Sequence, residues 1–290
     1  MMDRRSFIGG LSRGSMAASP PENSAAAGAA PPLPPPMPEQ KPLDAQGLET
    51  LERGLTGADL SGMIKGQVIR QIGYQEGRSF LLPWGTEYFI DIRRLKDTVA
   101  PTTNFFTNPW LFRRLTGTLD RSLLAHAEQL FKTTETQVVS VNINIATMLA
   151  GGVHGLAELG ATYGKAVIME VRLEDVVTDP TAFLVARSVA ARFGCSVLLD
   201  AVNAGLVTRV DRERMGVDFI KLLWSKDLQA ALSADKSGER VRAAIASIGP
   251  ERIILGHVDD AQAIAAGQAM GIGLFQGFHI DAIGEGKVAQ

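Results

Sequence analysis

The chain has a single cysteine among its 290 residues and no long apolar run. Cys195 cannot form an intramolecular disulfide, and its place inside the apolar run Cys195–Leu199 indicates a small core residue that suits a reducing cytoplasm. No stretch approaches the roughly 18 consecutive apolar residues of a membrane-spanning helix. The sequence therefore predicts a cytoplasmic protein without a membrane span.

Excess positive charge is also missing, since the formal net charge is −2 and the Lys and Arg residues are scattered. Nucleic-acid binding consequently lacks electrostatic support. No phosphate-binding loop ending in Gly-Lys-Ser/Thr occurs, and the isolated pair Gly271 and Gly273 is typical of a turn. The remaining composition, 46% apolar and 21% charged, is that of a globular protein able to bury a full core.

The first 46 residues are predicted to form a disordered tail, because Ala17 to about Pro42 is rich in Ala, Pro, Gly and Ser and cannot bury enough surface to fold. The run Pro31–Pro38 predicts a stiff spacer, with a ligand for a proline-reading domain as the alternative. Arg4 and Arg5 resemble the start of a twin-arginine export signal. The apolar segment after them is short for such a signal, so an uncleaved tail is favoured.

Residues 47–290 are predicted to form one α/β domain. Apolar strand candidates alternate with helical patterns, which indicates a parallel sheet buried on both faces. The strand candidates are Val138–Ile143, Ala166–Val171, Ser196–Asp200, Phe219–Leu223, Arg252–Gly256 and Leu274–Gln276. The helical patterns are Pro109–Thr133, Ala146–Tyr163, Pro180–Phe193, Arg209–Met215, Lys226–Ser247 and Asp260–Met270. A TIM-like (β/α)8 barrel is the favoured architecture, and an open doubly wound sheet is the alternative.

The region between the tail and this alternation reads differently. The extended runs Gln67–Gly73 and Ser79–Leu82 flank a polar turn, and Tyr88–Ile92 follows as a third run. This pattern predicts a hairpin that precedes the barrel proper.

Polar residues close successive strand candidates, and these are Asn142, Glu170, Asp200, Lys221 and Gln276. The carboxyl ends of parallel strands meet at one mouth, so we expect a shared ligand site there. The alternative is that Glu170, Asp200 and Lys221 only form an ion-paired network, because buried charges need partners.

The same positions carry a family resemblance. In order and spacing, six segments resemble the motif series of EAL domains across about residues 67 to 283: Val141–Ile143, Met169–Val171, Leu198–Asp200, Ile220–Lys221, Ile254–Asp259 and Gln276–Phe278. The resemblance implies a (β/α) barrel of the EAL type with one irregular strand. Such a barrel binds cyclic di-GMP and, when its site is complete, hydrolyses one phosphodiester with two Mg²⁺ or Mn²⁺ ions.

The resemblance also implies roles for individual residues. Asn142, Glu170 and Asp200 match ligands of the first metal ion. Lys221 matches the lysine beside the attacking water. Arg93, Asn142 and Gln276 match contacts to the cyclic dinucleotide.

Three departures from the family pattern predict that catalysis is lost. With Arg93 at the family's arginine, Phe89 stands at the signature glutamate, Ala201 replaces the second aspartate of a pair, and Gly256 replaces a later glutamate. Asp91 and His257 are not expected to compensate, because Asp91 would lie roughly 6–7 Å along the strand from Phe89 and a loop histidine is usually solvated. Lys221 would then be vestigial, and the incomplete set would leave room for one Mg²⁺ or Mn²⁺ at most.

The sequence therefore predicts a catalytically inactive EAL-like domain that acts as a bacterial cyclic di-GMP sensor or as a protein scaffold, with a separate protein partner and a homodimer as expected associations. An active phosphodiesterase with an altered metal site is the first alternative. A barrel enzyme acting on a small phosphorylated metabolite is the second.

Overall fold

The computed structural model describes residues 40–75 and 78–286, so the predicted disordered tail lies almost wholly outside the described residues. The folded unit begins a few residues earlier than predicted. Lys41–Pro42 pairs with Thr103–Asn104, and Leu43 and Leu48 are buried in the main core. Residues 41–46 are thus part of the described structure, and the domain bounds 47–290 stay a prediction.

The domain is a closed barrel of eight strands with helices outside it. In chain order the strands are β1 (Lys41–Pro42), β2 (Ile64–Gln75), β3 (Arg78–Ile90), β4 (Thr103–Asn104), β5 (Val138–Asn142), β6 (Ala166–Arg172), β7 (Ser196–Val202), β8 (Phe219–Leu223), β9 (Ile253–Gly256) and β10 (Leu274–Phe275). The order around the barrel is β10-β2-β3-β5-β6-β7-β8-β9, while β1 and β4 form a separate two-stranded sheet. The predicted barrel is confirmed, and the open sheet is wrong.

One strand runs against the others. β2 is antiparallel to both β3 and β10, whereas the remaining barrel pairs are parallel. The single irregular strand that the resemblance implies is thus present. The predicted hairpin exists, but its two strands, β2 and β3, are part of the barrel wall and do not precede the barrel. The predicted third run is mostly the end of β3.

The helices are shorter than the sequence patterns suggested. They are α1 (Ala45–Leu55), α2 (Ile92–Val99), α3 (Pro109–Ala125), α4 (Ala127–Thr133), α5 (Ile145–Thr147), α6 (Val153–Tyr163), α7 (Leu173–Thr178), α8 (Pro180–Arg192), α9 (Ala204–Val207), α10 (Arg212–Met215), α11 (Lys226–Ser233), α12 (Asp235–Ile248), α13 (Ala261–Ala269) and α14 (Phe278–Gly284). Four predicted helices are each divided in two or begin later than expected. The segment Ala146–Tyr163 is interrupted by a π-helical turn at Met148–Gly152, where Gly151 has φ 104°.

Helix starts follow the capping residues that the sequence offers. Asn108 accepts hydrogen bonds from the first backbone N–H groups of α3, with Pro109 at the first helical position. Asp179 and Asp260 cap α8 and α13 in the same way. Such side chains satisfy N–H groups that have no partner inside the helix, which fixes where each helix begins above its strand.

Apolar packing occurs on both surfaces of the barrel wall. Inside the barrel, Ile69, Ile168, Leu198, Ile254 and Leu274 form a small buried cluster with partly buried Trp84, Val138 and Phe219 packed against it. The larger core lies between the strands and the surrounding helices. The interior below the mouth is therefore filled, and only the carboxyl ends of the strands can open into a cavity. No helix in the described part of the chain is long and apolar enough to cross a membrane.

Candidate functional site

The barrel mouth contains a cavity of about 880 Å³ that all of the sequence-predicted site residues line. Arg93, Asn142, Glu170, Asp200, Lys221 and Gln276 come from six different segments. The structure thus brings together the polar groups at the strand ends, as the parallel topology requires. Their detailed arrangement differs from the prediction in two respects.

The first difference concerns the signature glutamate, at whose place the sequence predicts Phe89. The structure places Glu87 of β3 in the centre of the cluster, two residues before Phe89. Its carboxylate accepts hydrogen bonds from the Asn142 side-chain amide, from the Lys221 ammonium at 2.9 Å and from the Gln276 side-chain amide at 2.6 Å. The interpretation that placed Phe89 at the signature position did not consider Glu87, whose carboxylate lies among the strand-end residues.

Strand pairing explains how the residue was missed. Residues 87 and 89 lie on one face of β3, because side chains alternate along a strand, and Asp91 follows directly after the strand ends at Ile90. Only the register decides which of them is level with the other strand ends, and Glu87 is paired with Ser140 of β5. The alternation of side chains along β3 could have marked Glu87 as a candidate, because it lies on the same face as Phe89. The register, which decides between the two, depends on tertiary contacts that the sequence does not show.

The second difference is the position of Lys221. Its ammonium lies between two carboxylates, 2.9 Å from Glu87 and 2.5 Å from Glu170, and its side chain is 5% exposed. Glu170 also accepts a hydrogen bond from the Ser140 hydroxyl at 2.6 Å. The buried lysine therefore neutralises much of the charge of the two glutamates, as buried ionised groups require.

The electrostatics of this trio are strongly perturbed. Burial, together with the charge of Glu87, raises the pKa of Glu170. For Glu87, burial opposes ionisation, but the charge of Lys221 and its hydrogen bonds lower the pKa. For Lys221, burial opposes the charged form, but the charges of Glu170 and Glu87 raise the pKa. The lysine therefore stays charged, and Glu170 is the carboxylate that takes up a proton more readily.

The residues present do not fit a bound metal ion in this arrangement. Both oxygens of Glu87 and both oxygens of Glu170 already accept hydrogen bonds from protein donors. The Asn142 side chain turns its NH₂ group, which cannot ligate a cation, toward Glu87. Among the described residues, no group of three or more His, Cys, Asp or Glu side chains is placed to hold a metal. A divalent ion would have to displace Lys221 from both glutamates.

Two further positions lack the carboxylates that the resemblance expects. Ala201 follows Asp200 at an irregularity in the pairing of β7 with β8, and Gly256 ends β9. A Cβ atom at position 256 would lie 3.3 Å from Cγ of Lys221, so this position faces the lysine. At position 256 the cavity wall therefore has a glycine and no carboxylate.

Backbone conformation marks the same two segments. Ala201 and His257 have φ values of 62° and 59° and are the non-glycine residues with positive φ in the described chain. A Cβ atom in this left-handed region is strained by contact with the backbone. His257 is exposed and lines the cavity.

We expect Ala201→Gly to raise the free energy of unfolding by up to about 1 kcal/mol, because relief of the strain outweighs the greater freedom of glycine in the unfolded chain. Ala100→Gly is the matched control, since Ala100 has φ −154° and should lose stability on the same change. Urea unfolding of both variants measures the difference. An equal loss in the two variants would contradict strain at Ala201.

Asp91 and Arg93 lie away from the buried trio. Asp91 caps α2, accepting hydrogen bonds from the backbone N–H groups of Arg93 and Arg94, and forms an ion pair with Lys65 at 2.5 Å. It therefore does not join the carboxylate cluster, as expected. Arg93 is exposed at the start of α2 and lines the cavity.

A buried carboxylate on α3 also lines the cavity and was not anticipated. Burial raises the pKa of Asp120 to about 6, and the side chain accepts a hydrogen bond from the Asn144 backbone N–H at 2.7 Å. This contact holds the loop after β5 against α3. Its only signal in the sequence is an acidic residue within a helical pattern.

Comparison with known proteins identifies the fold. No family model matches the sequence, and no curated protein matches it. Solved structures do match. The Xanthomonas citri FimX EAL domain in complex with c-diGMP aligns with a TM-score of 0.58 at 16% identity, covering 80% of this chain and 92% of that one.

Two other solved structures agree with this likeness. The Pseudomonas aeruginosa FimX EAL domain bound to c-di-GMP has a TM-score of 0.52 and 13% identity, with 79% of this chain and 93% of that chain covered. Vibrio cholerae LapD, with S helix, GGDEF and EAL regions and bound to c-di-GMP, has a TM-score of 0.55 and 14% identity. The alignment covers 82% of this chain and 57% of LapD. The described chain therefore has the fold of an EAL domain.

Proposed function

We propose that this domain binds cyclic di-GMP in its mouth cavity without hydrolysing it, and that it acts as a sensor or scaffold for a protein partner. The observation that carries the proposal is the position of Lys221 between Glu87 and Glu170. Phosphodiester hydrolysis by two metal ions needs free carboxylate oxygens around the reacting phosphate. Here those oxygens accept hydrogen bonds from the protein.

The cavity supports ligand binding in its size and lining. Its volume of about 880 Å³ falls in the range of small-molecule sites. Phe106 and Phe278 line it and are 61% and 78% exposed, so aromatic faces are available for stacking on purine bases. The solved FimX and LapD structures of the same fold contain c-di-GMP.

Roles of individual residues are part of the same proposal. Arg93, on the rim, supplies a charged contact to the ligand, and Asn142 and Gln276 contribute amide groups from the strand ends. Lys221 is vestigial as a catalytic group and serves to neutralise the glutamates. A protein partner and a homodimer remain predictions, as do bacterial origin and a cytoplasmic location.

The alternative function is an active phosphodiesterase with an altered metal site. It requires one Mg²⁺ or Mn²⁺ to reach Asn142, Glu170 and Asp200, and Glu87 adds a fourth candidate ligand. The presence of Glu87 makes this alternative stronger than the sequence suggested. Against it stand the hydrogen bonds that occupy Glu87 and Glu170, and the absence of carboxylates at positions 201 and 256.

Calorimetric titration with cyclic di-GMP, with and without Mg²⁺, tests the proposal while chromatography follows the linear product. We expect saturable binding without turnover in both conditions. Metal-dependent turnover would establish the phosphodiesterase instead. Binding of inorganic phosphate but not of the dinucleotide would favour an enzyme for a small phosphorylated metabolite.

Two variants sharpen this experiment. Arg93→Ala should weaken binding about tenfold, the usual size of a lost charged hydrogen bond, whereas Arg94→Ala, which removes the adjacent exposed charge outside the cavity, should not. Asp200→Ala should leave metal-free binding unchanged or tighter, because it removes a negative charge from the cavity. A loss of affinity in Asp200→Ala only when Mg²⁺ is present would show that a metal ion bridges the ligand.

A further inference from the structure

We infer that Lys65 is the rim cation that receives a phosphate of the bound dinucleotide. This inference rests on the proposed function and deepens it, because it names a ligand contact that the motif series does not include. Eight carboxylates line the cavity, against only four basic side chains, which are Lys65, Arg93, Arg172 and Lys221.

A dinucleotide with two negatively charged phosphodiesters needs accessible cations in such a cavity. Lys221 cannot serve, because its side chain is 5% exposed and it contacts two carboxylates. Arg172 is 42% exposed and paired with Glu174 at 3.1 Å, so it is a second accessible cation and is somewhat less exposed than Lys65. Lys65 is 52% exposed, so its ammonium can be reached from the cavity.

The strand register places Lys65 above the buried trio. Gln67 of β2 is paired with Glu87 of β3, and Lys65 is paired with Phe89. Because alternate residues share a face of a strand, Lys65 lies on the same face as Gln67 and about 7 Å further toward the rim. All four of these side chains line the cavity. Lys65 therefore continues the polar wall of the site from its floor to its edge.

Asp91 holds the ammonium of Lys65 in place. One oxygen of Asp91 accepts the two backbone N–H groups at the start of α2, and the other lies 2.5 Å from the Lys65 ammonium. The contact with Lys65 and those with the backbone lower the pKa of Asp91, so the Asp91 carboxylate is charged at neutral pH. An ammonium has three N–H donors, and this contact uses one, which leaves two for phosphate oxygens.

The test compares the affinity of the full chain for cyclic di-GMP among four proteins: wild type, Lys65→Ala, Lys65→Arg and Lys96→Ala. Lys96 lies on α2 outside the cavity lining, so its variant removes the same charge without the contact. We expect about a tenfold loss for Lys65→Ala, little loss for Lys65→Arg, and none for Lys96→Ala. The loss should shrink at high salt, because charge contacts at a half-exposed site are screened.

The outcomes separate this inference from the function on which it rests. Wild type that binds no cyclic di-GMP would overturn both. Wild-type binding together with unchanged affinity in Lys65→Ala would overturn the role of Lys65 and leave the proposed function standing, with the Lys65–Asp91 pair as a purely structural contact. Melting temperatures establish that the variants are folded, and Lys65→Gln replaces Lys65→Ala if the alanine variant is not.

Discussion

Lys221→Met is expected to lower the free energy of unfolding by about 3–5 kcal/mol at pH 7, the usual cost of removing one partner from a buried ion pair. Methionine fills much of the space of the lysine stem but leaves Glu87 and Glu170 facing each other without a cation. Both are nearly inaccessible to solvent, at 8% and 1% exposed. Two uncompensated buried carboxylates are far less favourable than two glutamates around one ammonium.

The stability that Lys221→Met loses should become smaller as the pH falls. Without the lysine, burial and mutual repulsion raise the pKa of both glutamates above the usual 4.5. The folded variant then binds more protons than the unfolded chain, so its stability rises as the pH falls from 7 toward 4.5. In the wild type Glu170 also has a raised pKa and gives the same kind of gain on acidification, but the pKa of Glu87 is lowered, so Glu87 gives no gain over this pH range. The difference between the two proteins should therefore narrow on acidification.

Urea unfolding at a series of pH values measures this effect, and Lys165→Met is the matched control. Lys165 is half-buried, and its ammonium donates to the backbone carbonyls of Thr134 and Thr136 at 2.9 and 2.8 Å. These acceptors do not titrate, so the deficit of the control should stay constant with pH. A constant deficit in Lys221→Met as well would contradict the ion-paired trio.

Most residues of the site could be predicted from the sequence, but one member of the buried trio could not. Asn142, Glu170, Asp200 and Lys221 were predictable because each interrupts or closes a continuous apolar run, and parallel topology brings such ends together. Glu87 was not, because Glu87 and Phe89 share one face of the long strand β3, and the sequence does not show which of them is level with the other strand ends. Anchoring the motif on Arg93 pointed to Phe89, whereas the structure places the Glu87 side chain among the other strand-end residues.

Most of the fold could likewise be predicted from the sequence. Strands β5 to β10 were recognised because burial on both faces leaves short runs of Val, Ile and Leu between helical patterns. The places of β2 and β3 in the barrel were not recognised. Their pairing with each other is local and resembles an independent hairpin. They become part of the barrel wall only because β2 also pairs with β10 and β3 also pairs with β5. The division of α5 from α6 depends on Gly151 and a π-helical turn, which has no periodic signature.

Closure of the barrel beside the site depends on Gly277, and Gly277→Ala should lower the free energy of unfolding by about 3 kcal/mol. Gly277 has φ 155°, and a Cβ atom there would lie 2.2 Å from the backbone nitrogen of Val258 and 2.5 Å from its carbonyl oxygen. Backbone atoms cannot move aside as a flexible side chain can. The segment after β10 would have to separate from the loop after β9.

That separation would strain contacts that connect the fold to the site. The Val258 N–H donates to the Gln276 carbonyl at 3.0 Å, and the Gln276 side chain donates to Glu87. Gly277→Ala should therefore weaken both folding and cyclic di-GMP binding. Gly273→Ala is the control, because a Cβ atom at position 273 meets nothing within 4 Å. Denaturant unfolding and ligand titration of the two variants give the comparison. Equal stability of the two variants would mean that the chain relaxes around position 277. A loss confined to Gly277→Ala would show that the close backbone approach between the segment after β10 and the loop after β9 holds the floor of the cavity in place.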